Sequence, residues 1–267
     1  MIPALKRTLK RLSRPFRPAK TVMFEGMVMR GAIEDYGFLK ALARGQREPY
    51  TVALFKEQLR ADDLVIDVGA HLGHFSLLAA QGIGQGGRVI AFEPHPRNYQ
   101  YLQENSLKNG FAERISVLPY LVSSERRELT FYVDDFQSDC SSIVPGAGSG
   151  TARRTTVQAV HLDSVINPSR LPAVVKIDVE GAELQVLKGM AATLELLKKG
   201  NHRFTMFIEC NPEALSRSGA SAVQLVEALH GFGLRVDRIN EDLRTVMPVS
   251  AASASALTGC DNFICRW

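Results

Sequence analysis

The sequence predicts an α/β fold in which an open, mostly parallel sheet is flanked by helices. Three observations carry this. The stretch LVIDVGAHLGHFSLLAAQGIGQGGRVIAFE, residues 64–93, reads as strand, glycine turn, helix and second strand. AVVKIDVEGAELQVLKGM, residues 173–190, again ends an apolar run in acids and passes into a helix. FTMFIECNPEAL, residues 204–215, does so a third time. Strands of this kind, apolar on both faces until an acid ends them, belong to a sheet covered by helices on both sides.

Composition agrees. The 267 residues are 45% hydrophobic and 22% charged, as in a soluble chain with a substantial core. No apolar run reaches the ~18 residues a membrane span needs. The four cysteines show no C-x-x-C pairing, which fits a reduced, cytoplasmic compartment.

In chain order, residues 1–20 hold seven Lys or Arg and no acid. Without them the net charge of +4 becomes −3, so the body is no basic nucleic-acid binder. Leu5, Leu9, Leu12 and Phe16 share a helical face among cations. This is a short amphipathic arm suited to weak contact with an anionic membrane surface, or else simply solvated. Residues 21–63 are expected to form a helical lead-in, with Val52, Phe55 and Leu59 on one face.

The first strand then meets Asp67, Gly69, Ala70, His71 and Gly73 in the pattern D-x-G-x-x-x-G. A dinucleotide fingerprint would put glycine where His71 stands, to let a pyrophosphate approach. Glu93 closes the second strand, where an acid can accept hydrogen bonds from two ribose hydroxyls, and Pro94 follows it. A nucleoside ligand without phosphates fits this set, which points to S-adenosylmethionine. PHPRNYQYLQENSLKNG is a helix stopped at Asn109-Gly110. ISVLPYLV, residues 115–122, is expected as the third strand, with Ser123 at its end where an adenine would be met. ELTFYV (128–133) and TVQAVHL (156–162) alternate like half-exposed antiparallel strands. The Ser/Gly-rich stretch between them is expected as a loop over the site. LRVDRI and NFICRW supply the last strands.

Asp178 and Glu180 are the best-placed candidates for general base or acceptor-orienting group, with His161 and Glu209 behind them. Asp178 is also assigned to the cofactor side. His71 and His74 are expected to line the cofactor pocket rather than catalyse. Lys176, inside a buried strand, is expected to pair with one of the acids. Asp178, Glu209 and Asn211 offer hard oxygen ligands of the kind that suit Mg²⁺ or Ca²⁺, although they are not close-spaced in sequence.

VIDVGAHLGHFSLLAA, VIAFEPHPRNYQYLQENSLKNG, SSIV, LDSVI, VKIDVEGAELQVLKGM and DNFIC together resemble the FkbM family of S-adenosylmethionine-dependent methyltransferases. The resemblance covers roughly residues 50–265. It implies a class I methyltransferase (Rossmann-like) seven-stranded sheet of order 3-2-1-4-5-7-6 with its last strand antiparallel. It also implies O-methylation of a hydroxyl on a sugar or polyketide-like natural product. The arm is no part of that pattern. The organisation expected is the arm, then one domain at 21–267, with residues 123–162 forming a hairpin and substrate-loop excursion. Two alternatives stay open: methylation of a macromolecule such as RNA or protein, and a non-catalytic module that only binds S-adenosylmethionine.

Overall fold

The computed structural model describes residues 19–134, 138, 141–143 and 152–267. Residues 1–18 of the basic arm, Cys140 and most of the Ser/Gly-rich stretch lie outside the described residues, while Lys20 at the arm's end opens the first strand. No helix among the described residues is long and apolar enough to cross a membrane.

The lead-in is not helical throughout. It opens with a hairpin, β1 (Lys20–Phe24) and β2 (Met27–Gly31), paired antiparallel. Glu25 and Gly26 both take positive φ, 49° and 77°, the two-residue turn that suits the twist of a hairpin. The alternation of Met27, Met29 and Gly31 inward is a period of two, which overrides any helical reading. Helices Tyr36–Ala43 and Pro49–Gln58 follow.

The central sheet comes next. β3 (Leu64–Val68), β4 (Arg88–Phe92) and β5 (Ile115–Leu118) are parallel, separated by helices His74–Gly82 and Pro96–Lys108. The expected third strand is split. Pro119 has no N–H to donate, and the chain leaves the sheet there. β6 (Leu121–Val122) instead joins β7 (Glu128–Val133) and β8 (Arg153–Val160) in a separate three-stranded sheet, in which β7 and β8 pair antiparallel as their alternation predicts. β9 (Val174–Ile177) returns to the main sheet beside β3, and β10 (Thr205–Cys210) follows it, both parallel. β11 (Arg235–Asn240), β12 (Thr245–Pro248) and β13 (Asp261–Arg266) complete it, with β13 antiparallel between β10 and β11.

The order β5-β4-β3-β9-β10-β13-β11 is the class I methyltransferase order with its last strand antiparallel. β12 adds an eighth, largely exposed strand at the edge. It is short and ends in Pro248, which blunts further pairing.

Two apolar layers sandwich the sheet. Leu64, Ile66 and Val68 face one layer, with Val186, Leu187, Leu194, Leu225 and Leu229 of the later helices. Val65 faces the other, with Leu39, Phe55, Leu77, Leu78 and Leu102. Strand alternation therefore turns Asp67 and Lys176, paired in register, toward the second layer.

The hairpin is clamped to the sheet's flank by one buried side chain. Asn105 Nδ2 donates to the carbonyls of Arg30 and Leu72, both at 2.9 Å, and Asn105 Oδ1 accepts from Arg30 N at 2.8 Å. Asn109 repeats the arrangement on Val28. Asn105→Ala would leave these backbone groups without partners, and a loss of about 2–4 kcal/mol in urea unfolding is expected.

Candidate active site

The site lies at the carboxyl ends of β3, β4, β9 and β10, where open α/β sheets place ligands. Its geometry starts from Gly69. That residue has φ 82°, and a Cβ built there would sit 1.8 Å from the Asp178 carbonyl oxygen. Gly181 is the counterpart on the other side, with φ 99° and the Ala214 carbonyl 2.4 Å from its virtual Cβ. Only glycine lets these turns approach each other closely.

Two cavities open on this contact. The first is lined by Phe92, Glu93, Pro94, Tyr120, Leu121 and Val122, with Phe131 and Ile143 from the excursion. The second is lined by Phe38, Arg47, Glu48, Asp67, Ala70, His74, Phe75 and Lys176. Gly69, His71, Asp178 and Glu180 line both, so the cavities form one cleft around the glycine turn.

Glu93 is buried at the end of β4. Its Oε2 accepts from His71 N at 2.6 Å and its Oε1 from His95 N at 2.8 Å. Burial raises its pKa to about 8 despite those two bonds. Asp67 is buried too and accepts from Ser76 Oγ at 2.5 Å; burial moves its pKa to about 6. The neighbouring His74 is pushed down to about 3 by burial, with the Arg47 cation adding to it, so its ring is neutral. It packs edge-on to Phe24, with ring centroids 4.9 Å apart. His74 is therefore a wall.

His71 is held differently. Its backbone is left-handed, φ 50°, and its ring stands edge-on to Phe38. Its Nε2 lies 2.6 Å from Ser138 Oγ, which donates onward to Asp35 Oδ1 at 2.7 Å. Arg97 completes the row by pairing with Asp35 at 3.1 Å.

Beyond β9, Lys176 is fully buried, lies over the Phe75 ring and donates to Asp178 Oδ2 at 3.2 Å. This is the acid pairing its position predicts. Burial would lower the Lys176 pKa, but the Asp178, Glu48 and Glu209 carboxylates outweigh it and raise it. Burial would likewise raise Asp178, yet Lys176 and Arg47 hold it below the usual carboxylate range. Glu209, at the end of β10, is raised well above its ordinary value by burial and by the Asp178 and Glu180 charges. One carboxylate oxygen from each of Asp178, Glu180 and Glu209 lies within 4.8 Å of the others.

Several expectations need correction. His161 sits just ahead of the short 3₁₀ turn Leu162–Ser164 and lines neither cavity, because β8 ends at Val160 in the smaller sheet. Asn211 is placed as a helix cap. Its side chain caps helix Pro212–Arg217 by accepting from Ala214 N at 3.2 Å, and the acids that converge are Asp178, Glu180 and Glu209. Ser123 lies one residue past the cavity wall, its N–H spent on the Val160 carbonyl. Gly73 starts the helix behind the turn rather than lining the cleft. Asp67, Gly69, Ala70, His71, Glu93, Pro94, Asp178 and Glu180 do line it.

Sequence reasoning missed Phe38, Arg47, Glu48, Tyr120 and Ser138. The residue after Pro119 was a usable signal for Tyr120, since a strand that breaks at the sheet edge must turn toward the cleft. The others come from segments without a motif.

The fit to S-adenosylmethionine rests on this structure. An apolar wall stands beside a carboxylate at the end of the second strand, and no side chain fills the gap at Gly69. Residues 67–236 match the Methyltransferase FkbM domain family. A hexuronic acid methyltransferase, AglP of Haloferax volcanii, is 30% identical over 154 residues, 57% of this chain and 59% of that protein. The 31-O-demethyl-FK506 methyltransferase FkbM of Streptomyces tacrolimicus is 29% identical over 160 residues, 50% of this chain and 61% of that protein. In each case the match spans about three fifths of the relative's length. Among solved structures, a methyltransferase FkbM from Methylobacillus flagellatus has a TM-score of 0.46 at 19% identity, over 78% of this chain and 44% of the other.

Gly69→Ala would combine a left-handed backbone with a clash against a carbonyl. A loss of about 2–4 kcal/mol in denaturant unfolding is expected, together with loss of cofactor binding by calorimetry.

Proposed function

The chain belongs to the Methyltransferase FkbM domain family, and from that premise we propose that it is an S-adenosylmethionine-dependent O-methyltransferase acting on a hydroxyl of a sugar or natural-product-like small molecule. One observation carries the reading: a single cleft joins an apolar wall ending in Glu93 to the acid cluster Asp178, Glu180 and Glu209 across Gly69. The printed activities of the two relatives, on a hexuronic acid and on 31-O-demethyl-FK506, support a small acceptor of this class.

In this reading Glu93 holds the ribose hydroxyls, each carboxylate oxygen keeping a lone pair beyond the backbone N–H it already accepts. Phe92, Pro94, Tyr120, Leu121 and Val122 hold the adenine, and the Gly69–His71 turn lies along the remainder. When bound, S-adenosylmethionine supplies an electrophilic sulfonium methyl. Asp178, kept ionised by Lys176, orients the acceptor hydroxyl, and Glu180 at the cleft mouth takes its proton. The apolar walls exclude water from the reacting oxygen.

Two outcomes follow. In the free protein Glu93 is protonated below about pH 8, and hydroxyl donors favour its ionised form. Affinity for S-adenosylmethionine should therefore rise from pH 6.5 to 9. Calorimetry at pH 7 in buffers of different ionisation enthalpy should show proton release, and Glu93→Gln should abolish that release. In a screen of sugars and alcohols with isotopically labelled cofactor, Glu180→Gln should lower methyl transfer about 10²–10⁴-fold while cofactor affinity stays unchanged. Labelled methyl reaching no hydroxyl compound would overturn the reading.

A further inference from the structure

Glu209 is a buried acid that the transfer step does not use. It is only 4% exposed at the end of β10 and lines neither cavity, so it meets the cleft only through its neighbours. One of those neighbours is Asp178, to which its carboxyl is hydrogen-bonded. Two ionised carboxylates cannot make such a bond, because each offers only lone pairs. A proton therefore lies between them.

The surroundings assign that proton to Glu209. Lys176 Nζ donates to Asp178 Oδ2 at 3.2 Å, so the cation lies against Asp178, whose side chain is also 27% exposed. Among the described residues no cation is bonded to Glu209. Its Oε1 accepts from the Cys260 thiol at 2.9 Å, a neutral donor that burial keeps protonated. Its Oε2 is buried, and no donor of another described residue reaches it. Asn262, opposite Glu209 on β13, gives its Nδ2 to Glu48 instead. An ionised Glu209 would thus be a poorly solvated charge, and burial, with the Asp178 and Glu180 charges adding to it, raises its proton affinity well above the ordinary.

We propose that Glu209 stays a neutral carboxylic acid in the working enzyme and donates its O–H to Asp178, as a positioning residue for the acid that orients the acceptor. Held by Lys176 and Glu209 at once, the Asp178 carboxylate is fixed in direction. Cys260, just ahead of β13, fixes Glu209 in turn, so a chain of thiol, acid and carboxylate runs from that strand to the cleft. A neutral donor also does what a second cation would not: it holds Asp178 without cancelling the charge that meets the acceptor hydroxyl. The positioning role rests on the O-methyltransferase reading; the shared proton does not.

The test begins with infrared spectra of the full chain at pH 7, wild type minus Glu209→Gln. Glu93 is protonated there too, so the difference isolates Glu209, and a protonated-carboxyl carbonyl band is expected in it. Gln reproduces a neutral acid, with an N–H donor for Asp178 and a carbonyl for the Cys260 thiol. Glu209→Gln should therefore leave methyl transfer nearly unchanged, whereas Glu209→Ala should lower kcat about 10²-fold with the KM for S-adenosylmethionine retained. An ionised base at this position would instead lose its activity on change to Gln. A missing difference band, or a Gln variant as inactive as the Ala variant, would overturn the proposal. If the Ala variant fails to fold, the band and the Gln variant decide: transfer retained by Gln supports the proposal, and transfer lost overturns it. Failure of the methyltransferase reading would appear separately, as no binding of S-adenosylmethionine by the wild type while the band is present.

Discussion

The approach of Gly69 to the Asp178 carbonyl is the contact on which the rest of the site depends. Asp178 N donates to the Val68 carbonyl at 2.9 Å, which carries the β3–β9 ladder one residue past the end of β9. At that step the backbones are too close for any side chain between them. The turn that carries His71 and the turn that carries Glu180 are thereby forced to opposite sides of one gap. Gly69 and Ala70 N–H groups both reach the Phe92 carbonyl, which locks β4 to the same edge and puts Glu93 beside them. Three strand ends become one cleft through backbone geometry alone.

Around that gap the protein buries ionisable groups at a cost a purely structural core would avoid. Asp67, Glu93, Lys176 and Glu209 are all nearly inaccessible. Apolar residues of similar size would be expected to stabilise the fold at least as well. What the chain gains is a set of acids with divergent proton affinities within one cleft: Asp178 held low, Asp67 at about 6, Glu93 at about 8. Such divergence marks places where protons or cations are handled. The neutral His74 and the Phe75 ring beneath Lys176 keep the surroundings dry enough to maintain it.

The main sheet was legible because its strands are buried on both faces and end in acids, a pattern with few alternative meanings. The glycine turn and Glu93 were legible for the same reason: local backbone demands leave local traces. What could not be read depended on long-range contact. The β1–β2 hairpin is set by a turn at Glu25-Gly26 and by Asn105, 75 residues beyond Arg30. Asn211 looked like a ligand, but its position as a helix cap competes for the same oxygen. Pro119 was visible, yet its effect, sending β6 to another sheet, needed the partner β8 to be seen. Arg47 and Glu48 reach the cleft from a segment whose sequence carries no motif.

Ser138 gives the site one more property. Its hydroxyl is the meeting point of His71, on the cofactor turn, and Asp35, at the entrance to the lead-in helices. A ligand that shifts His71 must therefore do work on Asp35 and its ion pair with Arg97, and a ligand that pulls on the excursion must do work on the cofactor turn. Free energy transmitted this way is reciprocal. The Ser138 hydroxyl thus ties the turn that carries His71 to the entrance of the lead-in helices, so that displacement of either end bears on the other.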